Sequence, residues 1–245
     1  MMPRLVAEET LDHLPPDDPA AMRSRRDLVR VHKAMGTRAI VARGWQGLMP
    51  AERARGPLRI LEIGAGDGSL LLGVARSLTP LWPQVQLTLL DRQDIVHART
   101  LAAYAEWGWS AQTHVVDVLA WASGLDGDAS GTPPQRWDLI TTTLFLHHFE
   151  GDALDRLLAG VASRTDRFFA CEPRRSWLPL AGSHLVGALG ANAVTREDAV
   201  LSVHAGFRDH EISARWPREG GDWRLHESAA GLFSHGFSAQ RNAVA

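Results

Sequence analysis

LRILEIGAGDGSL, residues 58–70, is the stretch of sequence that decides the fold. Its first half is an apolar run that predicts a buried β-strand. Glycines follow at three alternate positions, Gly64, Gly66 and Gly68, and an apolar helical pattern starts at Leu70. A strand, a glycine-rich turn and a helix in this order open a ligand pocket at the carboxyl edge of an α/β sheet. Glycines in such a turn let the backbone bend tightly and approach a ligand, because they lack a Cβ.

The rest of the chain continues the alternation of strands and helices. Strand patterns occur at residues 85–90, 114–116, 137–142 and 166–172, and helical periodicity occurs at 70–78, 94–107, 152–162 and 178–189. This alternation predicts an α/β fold with a doubly wound, mostly parallel sheet. Two alternating segments near the C-terminus, residues 223–227 and 232–237, predict an antiparallel pair that closes the sheet. Thr195, which precedes two acidic residues, is predicted to cap the N-terminus of a further helix.

Residues 1–50 precede the first strand and are interpreted as an N-terminal arm with a helical cap. Residues 1–20 are rich in Pro and Asp and predict a loose arm or lid, followed by two helices that meet at Gly36. The helical pair is expected either to cap the ligand pocket or to form a packing layer. Residues 51–245 are expected to form one globular domain, in which the loop at 124–134 is a mobile surface connection.

The composition argues against several classes of protein. Of 245 residues, 45% are hydrophobic, which is enough for one sizeable core, and the formal net charge of −2 argues against a general nucleic-acid binder. Cys171 is the only cysteine, so an internal disulfide and a multi-cysteine metal site are excluded. The scattered histidines lack the i, i+4 spacing of helical metal ligands, and no metal is expected. Without a run of about 20 apolar residues or a signal-peptide pattern, we expect a cytoplasmic protein with no membrane span.

Acidic residues stand at the ends of three predicted strands or turns: Glu62, Asp91 and Asp117. This position is the ligand edge of a doubly wound sheet. Asp91 follows the glycines at the distance at which a carboxylate grips the two hydroxyls of a ribose, although an acid there also begins turns. A dinucleotide is disfavoured, because Ser69 stands where the last small residue of its fingerprint belongs. Glu62 would repel a diphosphate but attract a cationic ligand.

These motifs resemble those of the class I S-adenosylmethionine-dependent methyltransferases. The match runs through residues 62–68, the strands ending at Asp91 and Asp117, and residues 138–149, in the family's order. The resemblance implies a Rossmann-like sheet of seven strands with an antiparallel closing strand, and S-adenosylmethionine as the cofactor. It also implies the cofactor contacts: Glu62, Gly64, Ala65, Gly66 and Gly68 at the glycine turn, Asp91 with its neighbour Arg92 at the ribose, Asp117 and Val118 at the adenine, and Thr143 and Leu144 near the sulfonium.

The whole chain is similar to bacterial small-molecule methyltransferases encoded near type III polyketide synthases. This similarity rests on short motifs at residues 26–32, 195–203 and 206–207. It implies a small-molecule substrate, and O-methylation of a phenolic or polyketide-derived compound. An aromatic or apolar acceptor would suit several aromatic side chains: Trp45, Trp107, Trp109, Trp177 and Phe145. Tryptophans, however, are as often core residues.

Two adjacent histidines after the fourth strand, His147 and His148, are the candidate catalytic residues. An oxygen nucleophile usually needs its proton removed, and a histidine suits that task. Leu146-His147-His148-Phe149 is similar to the Leu-His-Asp-Trp-type segment of plant phenolic O-methyltransferases, whose first histidine is the base, and this favours His147. Both histidines are equally compatible with a purely structural role. Glu172, at the end of the fifth strand, either orients a substrate hydroxyl or pairs with a neighbouring arginine.

Two other functions remain open at this point. One is methylation of carbon or nitrogen in another small molecule, and the other is a cofactor-binding regulator without catalysis. A nucleic-acid methyltransferase is disfavoured, because the motif of amino-methylating enzymes, Asn/Asp-Pro-Pro-Tyr/Trp, does not follow the fourth strand. The sequence does not predict the oligomeric state.

Overall fold

The computed structural model describes residues 2–49, 56–82, 84–124, 135–219 and 221–242. Its helices and strands, in chain order, are α1 (Thr10–His13), α2 (Pro19–Met35), α3 (Thr37–Leu48), β1 (Leu58–Ile63), α4 (Ser69–Leu78), β2 (Val85–Asp91), α5 (Ala98–Ala105), β3 (Trp109–Val115), α6 (Val118–Ala122), β4 (Leu139–Thr143), α7 (Gly151–Arg164), β5 (Arg167–Pro173), α8 (Trp177–Leu185), α9 (Ala193–Ala205), β6 (Trp223–Ala230) and β7 (Ser234–Arg241). Short 3₁₀ turns follow β4 (Leu146–His148) and α8 (Val186–Leu189). The predicted loop at 124–134 lies, beyond Gly124, outside the described residues.

The strands form a seven-stranded sheet in the order β3-β2-β1-β4-β5-β7-β6. The first five in this order are parallel, and β7 runs antiparallel to both of its neighbours. The predicted doubly wound, mostly parallel sheet with an antiparallel closing strand is therefore confirmed. The chain reverses its direction of travel across the sheet between β1 and β4. This is the topological switch point at which α/β sheets bind their ligands.

Alternating side chains of the strands enter two hydrophobic clusters, one on each face of the sheet. On β1, Leu61 and Ile63 belong to one cluster and Ile60 to the other. Adjacent residues of β5 divide in the same way, with Phe168 in the first cluster and Phe169 in the second. Because helices cover both faces, the strands are apolar on both sides, as the continuous run in β1 predicts.

The two helices of the N-terminal cap have different surroundings. Gly36 joins them with a left-handed backbone (φ +70°). Helix α3 is a packing layer, since Trp45 is fully buried and stacks between Trp82 and Trp109, with ring centroids 6.1 and 6.4 Å away. The indole Nε1 of Trp45 donates a hydrogen bond of 3.1 Å to Oγ1 of Thr141 in β4. Helix α2, by contrast, lines the cavity at the carboxyl edge of the sheet, and its role as a cap over a bound ligand stays a prediction.

Residues 2–18, the N-terminal arm, are fastened along α9 in this structure. The amide of Leu5 donates to the carbonyl of His204 (3.1 Å). The amides of Thr10 and Leu11 donate to the two carboxylate oxygens of Asp198, at 2.8 and 3.0 Å. These hydrogen bonds hold the arm against α9 although it has few apolar residues, so the expectation of a loose arm is wrong.

The predicted N-cap of α9 and the predicted bounds of the third strand are also wrong. Helix α9 begins at Ala193, and its N-cap is Asn192, whose Oδ1 accepts from the amide of Thr195 (2.9 Å). Thr195 is buried within the first turn and its hydroxyl contacts Ser24 of α2 at 2.8 Å. The third strand is longer than predicted and ends at Val115, before the acid at position 117.

Candidate functional site

The glycine turn after β1 contains three glycines with left-handed backbones and different surroundings. A Cβ on Gly64 (φ +73°) would lie 2.2 Å from Cδ2 of Phe145, so the aromatic ring needs that space. A Cβ on Gly68 (φ +73°) would lie 3.1 Å from Cδ1 of Leu89. At Gly66 (φ +56°), no atom lies within 4 Å of the position of a Cβ. The open side of this turn therefore lies at Gly66.

A cavity of about 640 Å³ opens at the carboxyl edge of β1, β2 and β4. It extends from the glycine turn to the 3₁₀ turn after β4, and apolar residues of α2 and α8 line it. Ten of the eleven residues predicted to contact a cofactor line this cavity: Glu62, Gly64, Ala65, Gly66, Asp91, Arg92, Asp117, Val118, Thr143 and Leu144. The eleventh, Gly68, packs against β2 instead.

Asp91 and Asp117 each support the local backbone and retain acceptor capacity. Oδ2 of Asp91 accepts from the amide of Gly66 (2.9 Å), and Oδ1 accepts from that of Gln93 (2.9 Å). Asp91 therefore has the turn-stabilising role that was one of the two expectations, while each oxygen keeps a second lone pair. Asp117 is the N-cap of α6, a helix absent from the prediction, and its Oδ1 accepts two backbone amides. Its side chain is exposed at the cavity.

Glu62 places an unsatisfied carboxylate oxygen in the cavity wall. The residue is 3% exposed, and Oε2 has no hydrogen-bond partner among the described residues. Burial raises the pKa of this carboxyl well above its usual range. A cationic group bound next to Glu62 would supply the missing partner and favour the ionised carboxylate.

Arg92 contacts the N-terminal arm. Its Nη2 donates to the carbonyl oxygen of Asp12 at 2.5 Å, and it lies 3.8 Å from the carboxylate of the same residue. Leu144, which also lines the cavity, has a left-handed backbone (φ +55°), a conformation that is costly for a residue with a Cβ. Its amide donates to the carbonyl of Cys171 (2.8 Å), which helps to hold this strained residue in the cavity wall.

Glu172 holds the turn that follows β4. The residue is fully buried, and Oε1 accepts from the amides of Phe145 and Leu146 at 3.1 and 3.0 Å. Oε2 accepts from the amide of His147 (3.3 Å) and contacts its Nδ1 (2.9 Å). The expected pairing of Glu172 with a neighbouring arginine is wrong. Three backbone amides and the imidazole of His147 bind this carboxylate instead.

His147 lies between two carboxylates and is 2% exposed. On the side away from Glu172, its Nε2 faces Oε1 of Glu9 in the N-terminal arm at 3.3 Å. Burial lowers the pKa of this imidazole, but hydrogen bonds to Glu172 and Glu9 outweigh burial and raise the pKa of His147 to about 9. His147 therefore holds its proton at neutral pH, and protein groups occupy both of its ring nitrogens.

His148 has the opposite properties. Its side chain is 20% exposed, and Nδ1 lies 3.3 Å from Oδ2 of Asp12. Burial and the neighbouring His147, whose ring centroid is 4.3 Å away, lower the pKa of His148. Its imidazole is therefore neutral at neutral pH. The structure brings both histidines to the cavity, but only His148 combines a neutral ring with access to solvent.

Three residues of the arm that contact the candidate site were not found by the sequence analysis: Arg4, Glu9 and Asp12. Arg4 donates to the carbonyls of His147 (3.3 Å) and Phe149 (2.9 Å), which attaches the arm to the turn after β4. Glu9 also accepts from the hydroxyl of a serine in α9. The arm contains no periodic apolar pattern, so no local sequence signal marks these three residues as parts of the site.

Glu9, His147 and His148 also form a group with the composition of a metal site. Each offers one ligand atom, and these atoms lie within 4.8 Å of one another. Direct contacts already join Glu9 to His147 and His148 to Asp12. The expectation that the protein uses no metal stays a prediction.

Most of the aromatic residues suggested as acceptor contacts lie away from the cavity. Trp45 and Trp109 are fully buried core residues, and Trp107 stacks under the guanidinium of an arginine in α4. Trp177 is 76% exposed at the start of α8. Of the five, Phe145 lines the cavity.

Comparison with known proteins identifies the fold of this chain. No protein-family model and no curated protein matches the sequence. Among solved structures, the plantazolicin methyltransferase BpumL in complex with SAH is similar over 92% of both chains, with 15% identity and a TM-score of 0.55. The chain has the class I methyltransferase fold.

Two further solved structures share this methyltransferase fold. An O-methyltransferase family protein from Burkholderia thailandensis is similar over 94% of this chain, with 14% identity and a TM-score of 0.59. The mitomycin 7-O-methyltransferase MmcR is similar over 92%, with 16% identity and a TM-score of 0.52. The chain spans about three fifths of the length of these two proteins, 62% and 59%. At these identities the similarity shows the fold.

In the described part of the chain, no helix has both the length and the apolar character needed to cross a membrane.

Proposed function

We propose that this protein transfers a methyl group from S-adenosylmethionine to the hydroxyl of a small phenolic or polyketide-derived acceptor. The observation that carries the proposal is the continuity of one cavity, which connects the glycine turn to the group formed by Glu9, His147 and His148. A cofactor at the glycine turn and an acceptor at the histidines would share this space. The methyltransferase fold and the O-methyltransferases among its structural neighbours support the same function.

The cofactor half of the cavity suits a cationic amino acid nucleoside. The free lone pairs of Asp91 would accept the ribose hydroxyls, and the exposed side of Asp117, with Val118, would contact the adenine. Oε2 of Glu62, which lacks a partner, attracts the cationic methionyl part. Ala65 and Gly66 offer an open backbone next to it, and Thr143 and Leu144 bound the space beside the sulfonium. Arg92 contributes indirectly, by fastening the arm.

The reaction needs alignment more than covalent assistance. The sulfonium is a good leaving group, so the protein must hold the acceptor oxygen, the methyl carbon and the sulfur in line and exclude water. The N-terminal arm covers the histidines and contributes to water exclusion. In the proposed arrangement, residues 1–50 form the arm and cap of a methyltransferase domain at residues 51–245, in a cytoplasmic protein.

His148 is the better candidate for the base that takes the acceptor proton. A base needs a neutral nitrogen within reach of the hydroxyl. His147 is protonated and has both nitrogens engaged, whereas His148 is neutral and partly exposed. Asp12 would accept the Nδ1 proton of His148 and stabilise the imidazolium that forms. His147 would then position the turn and keep the arm closed.

Titration with S-adenosylmethionine and S-adenosylhomocysteine tests the cofactor. Asp91→Asn should weaken binding by about tenfold, because a neutral amide replaces a charged acceptor. The single oxygen of Asn can accept from the amide of Gly66 or from that of Gln93, but not from both. Asp94→Asn, an exposed acid of the same loop, is the matched control and should bind normally. The absence of binding at millimolar cofactor would refute the proposal.

A labelled-methyl transfer screen against phenols, quinols and polyketide pyrones tests the acceptor. Amines and carbon nucleophiles form the second arm of the screen. Transfer to phenolic oxygen is expected, and transfer confined to nitrogen or carbon would overturn the O-methyl assignment. Tight cofactor binding without transfer to any acceptor would favour the cofactor-binding regulator.

A further inference from the structure

His32 is a cavity residue that no step of the proposed reaction uses. It lies in the last turn of α2, and its partly buried side chain lines the cavity. Burial lowers the pKa of His32 from 6.5 to about 4, so its imidazole is neutral at neutral pH. A neutral imidazole has one N–H donor, and among the described residues the side chain of His32 has no hydrogen-bond or ion-pair partner. A ligand acceptor would satisfy this donor.

The other basic groups of the cavity wall already have partners. Guanidinium and imidazole groups line the cavity at six positions: His13, Arg25, His32, Arg92, His147 and His148. Arg25 donates to the carbonyl of Pro16 (2.8 Å) and to Oε1 of Gln93 (3.2 Å). Four others lie beside carboxylates of the arm or of β5. In the described part of the chain, His32 is therefore the basic group of this wall that is left for a ligand.

Two charged residues set the electrostatic surroundings of His32. Arg38, in the first turn of α3, lowers the pKa of His32, and Asp67 of the glycine turn raises it by a smaller amount. Oδ1 of Asp67 accepts from the amide of Ser69 (2.9 Å). The guanidinium of Arg38 lies against α4, where a Cβ on Gly73 would overlap it, and it has no partner among the described residues. The field at His32 therefore favours an anion, next to the glycine turn.

We infer that the imidazole of His32 donates a hydrogen bond to the carboxylate of the cofactor's methionyl group. The inference rests on the proposed function, which puts S-adenosylmethionine at the glycine turn. The methionyl group carries an ammonium and a carboxylate. Glu62 suits the cationic part and would repel the carboxylate, so the carboxylate needs a different partner in the wall. His32 supplies a donor for it, beside the unpaired charge of Arg38.

In this arrangement His32 is a positioning residue. Glu62 at the end of β1 and His32 at the end of α2 would hold the two charged groups of one amino acid from two different elements. Fixing the amino acid end also fixes the sulfur atom, from which the methyl group must leave in line with the acceptor. The same contact would select S-adenosylmethionine over its decarboxylated form, which keeps the ammonium and the sulfonium but has no carboxylate.

Calorimetric titration with S-adenosylhomocysteine and with its decarboxylated analogue tests the contact. The unmodified protein should bind S-adenosylhomocysteine at least about tenfold more tightly, because a hydrogen bond to a charged acceptor is missing with the analogue. His32→Ala should weaken binding of S-adenosylhomocysteine about tenfold and change binding of the analogue by less than about twofold. His184→Ala is the matched control, since His184 is an exposed imidazole outside the cavity lining, and it should change neither affinity.

A second variant separates a lost hydrogen bond from a distorted cavity. His32→Asn keeps a side-chain N–H donor and should recover part of the affinity for S-adenosylhomocysteine. Equal losses for both ligands in His32→Ala would assign His32 to packing or to the ammonium, and unchanged affinities would remove it from the site. Either result overturns this inference and leaves the proposed function intact. Failure of the unmodified protein to bind S-adenosylhomocysteine at all would overturn both.

Discussion

Replacement of Glu9 by Gln tests whether ion pairing closes the N-terminal arm over His147. Burial alone would lower the pKa of His147, but hydrogen bonds to Glu172 and Glu9 raise it from 6.5 to about 9. At about 1.4 kcal/mol per tenfold change in proton affinity, this difference stabilises the folded protein by about 3 kcal/mol. Two carboxylates share the effect. Glu9→Gln should therefore reduce the free energy of unfolding by about 1–2 kcal/mol at slightly acid pH.

The sign of the pH dependence follows from the raised pKa of His147. A histidine whose pKa is higher in the folded state contributes its full stabilisation below the unfolded value of 6.5. The contribution falls as the pH rises and is lost above about 9. The difference between the unmodified protein and Glu9→Gln should shrink over the same interval, because a neutral imidazole gains little from a carboxylate.

Urea unfolding at about pH 6, 8 and 10 measures this difference directly. Glu8→Gln is the matched control, because Glu8 is the neighbouring acid and its side chain is 86% exposed. The control should unfold like the unmodified protein at each pH. If Glu9→Gln lost the same free energy at pH 10 as at pH 6, Glu9 would act through packing or a neutral hydrogen bond, and the ion-pair argument would fail.

Three further predictions address the cofactor, the turn and the base. S-adenosylmethionine should bind more tightly as the pH rises, because burial raises the pKa of Glu62 and binding of the cation releases the proton of this carboxyl. Calorimetry in buffers of different ionisation enthalpy should measure this proton release, which should be absent in Glu62→Gln. Gly64→Ala should lower the free energy of unfolding by about 3 kcal/mol, since its Cβ would overlap Phe145. Gly66→Ala should lower it by about 1 kcal/mol, because only the left-handed backbone is unfavourable there. Equal losses in urea unfolding would contradict the structure. His148→Ala should lower kcat at least a hundredfold with unchanged cofactor affinity, and an unchanged kcat would remove it from the mechanism.

The sequence predicts the sheet, and it predicts which residues meet around the glycine turn, because both depend on local patterns. The apolar run of β1, the three glycines after it and Asp91 at the end of β2 lie within 34 residues and indicate one strand-turn-helix-strand unit. Parallel strands then bring their carboxyl ends together, which places Glu62, Asp91 and Asp117 at one edge. The roles of the glycines were less predictable, since the ring over Gly64 belongs to Phe145 in a distant segment.

The surroundings of the two histidines could not be predicted, because their contacts join distant parts of the chain. Glu9 and His147 are separated by 138 positions, and Thr10 and Asp198 by 188. The arm has no apolar periodicity to show which of its acids is buried. The partner of Glu172 also depends on the path of the turn after β4, which brings His147 to it, whereas Arg175 after β5 binds Gly206 and Glu211.

On the proposed reaction, the arrangement of acids follows the movement of one positive charge. Before transfer, Glu62 would face the cationic cofactor. After transfer the cofactor would have lost its sulfonium charge, and His148, having taken the acceptor proton, would be an imidazolium next to Asp12. The charge therefore leaves one carboxylate and arrives at another, within a cavity whose low dielectric makes an unpaired charge costly. Because Asp12 and Glu9 both belong to the arm, the arm supplies two of the three carboxylates that favour an imidazolium at His148, the third being Glu172. The contacts that cover the histidines would therefore also favour proton removal.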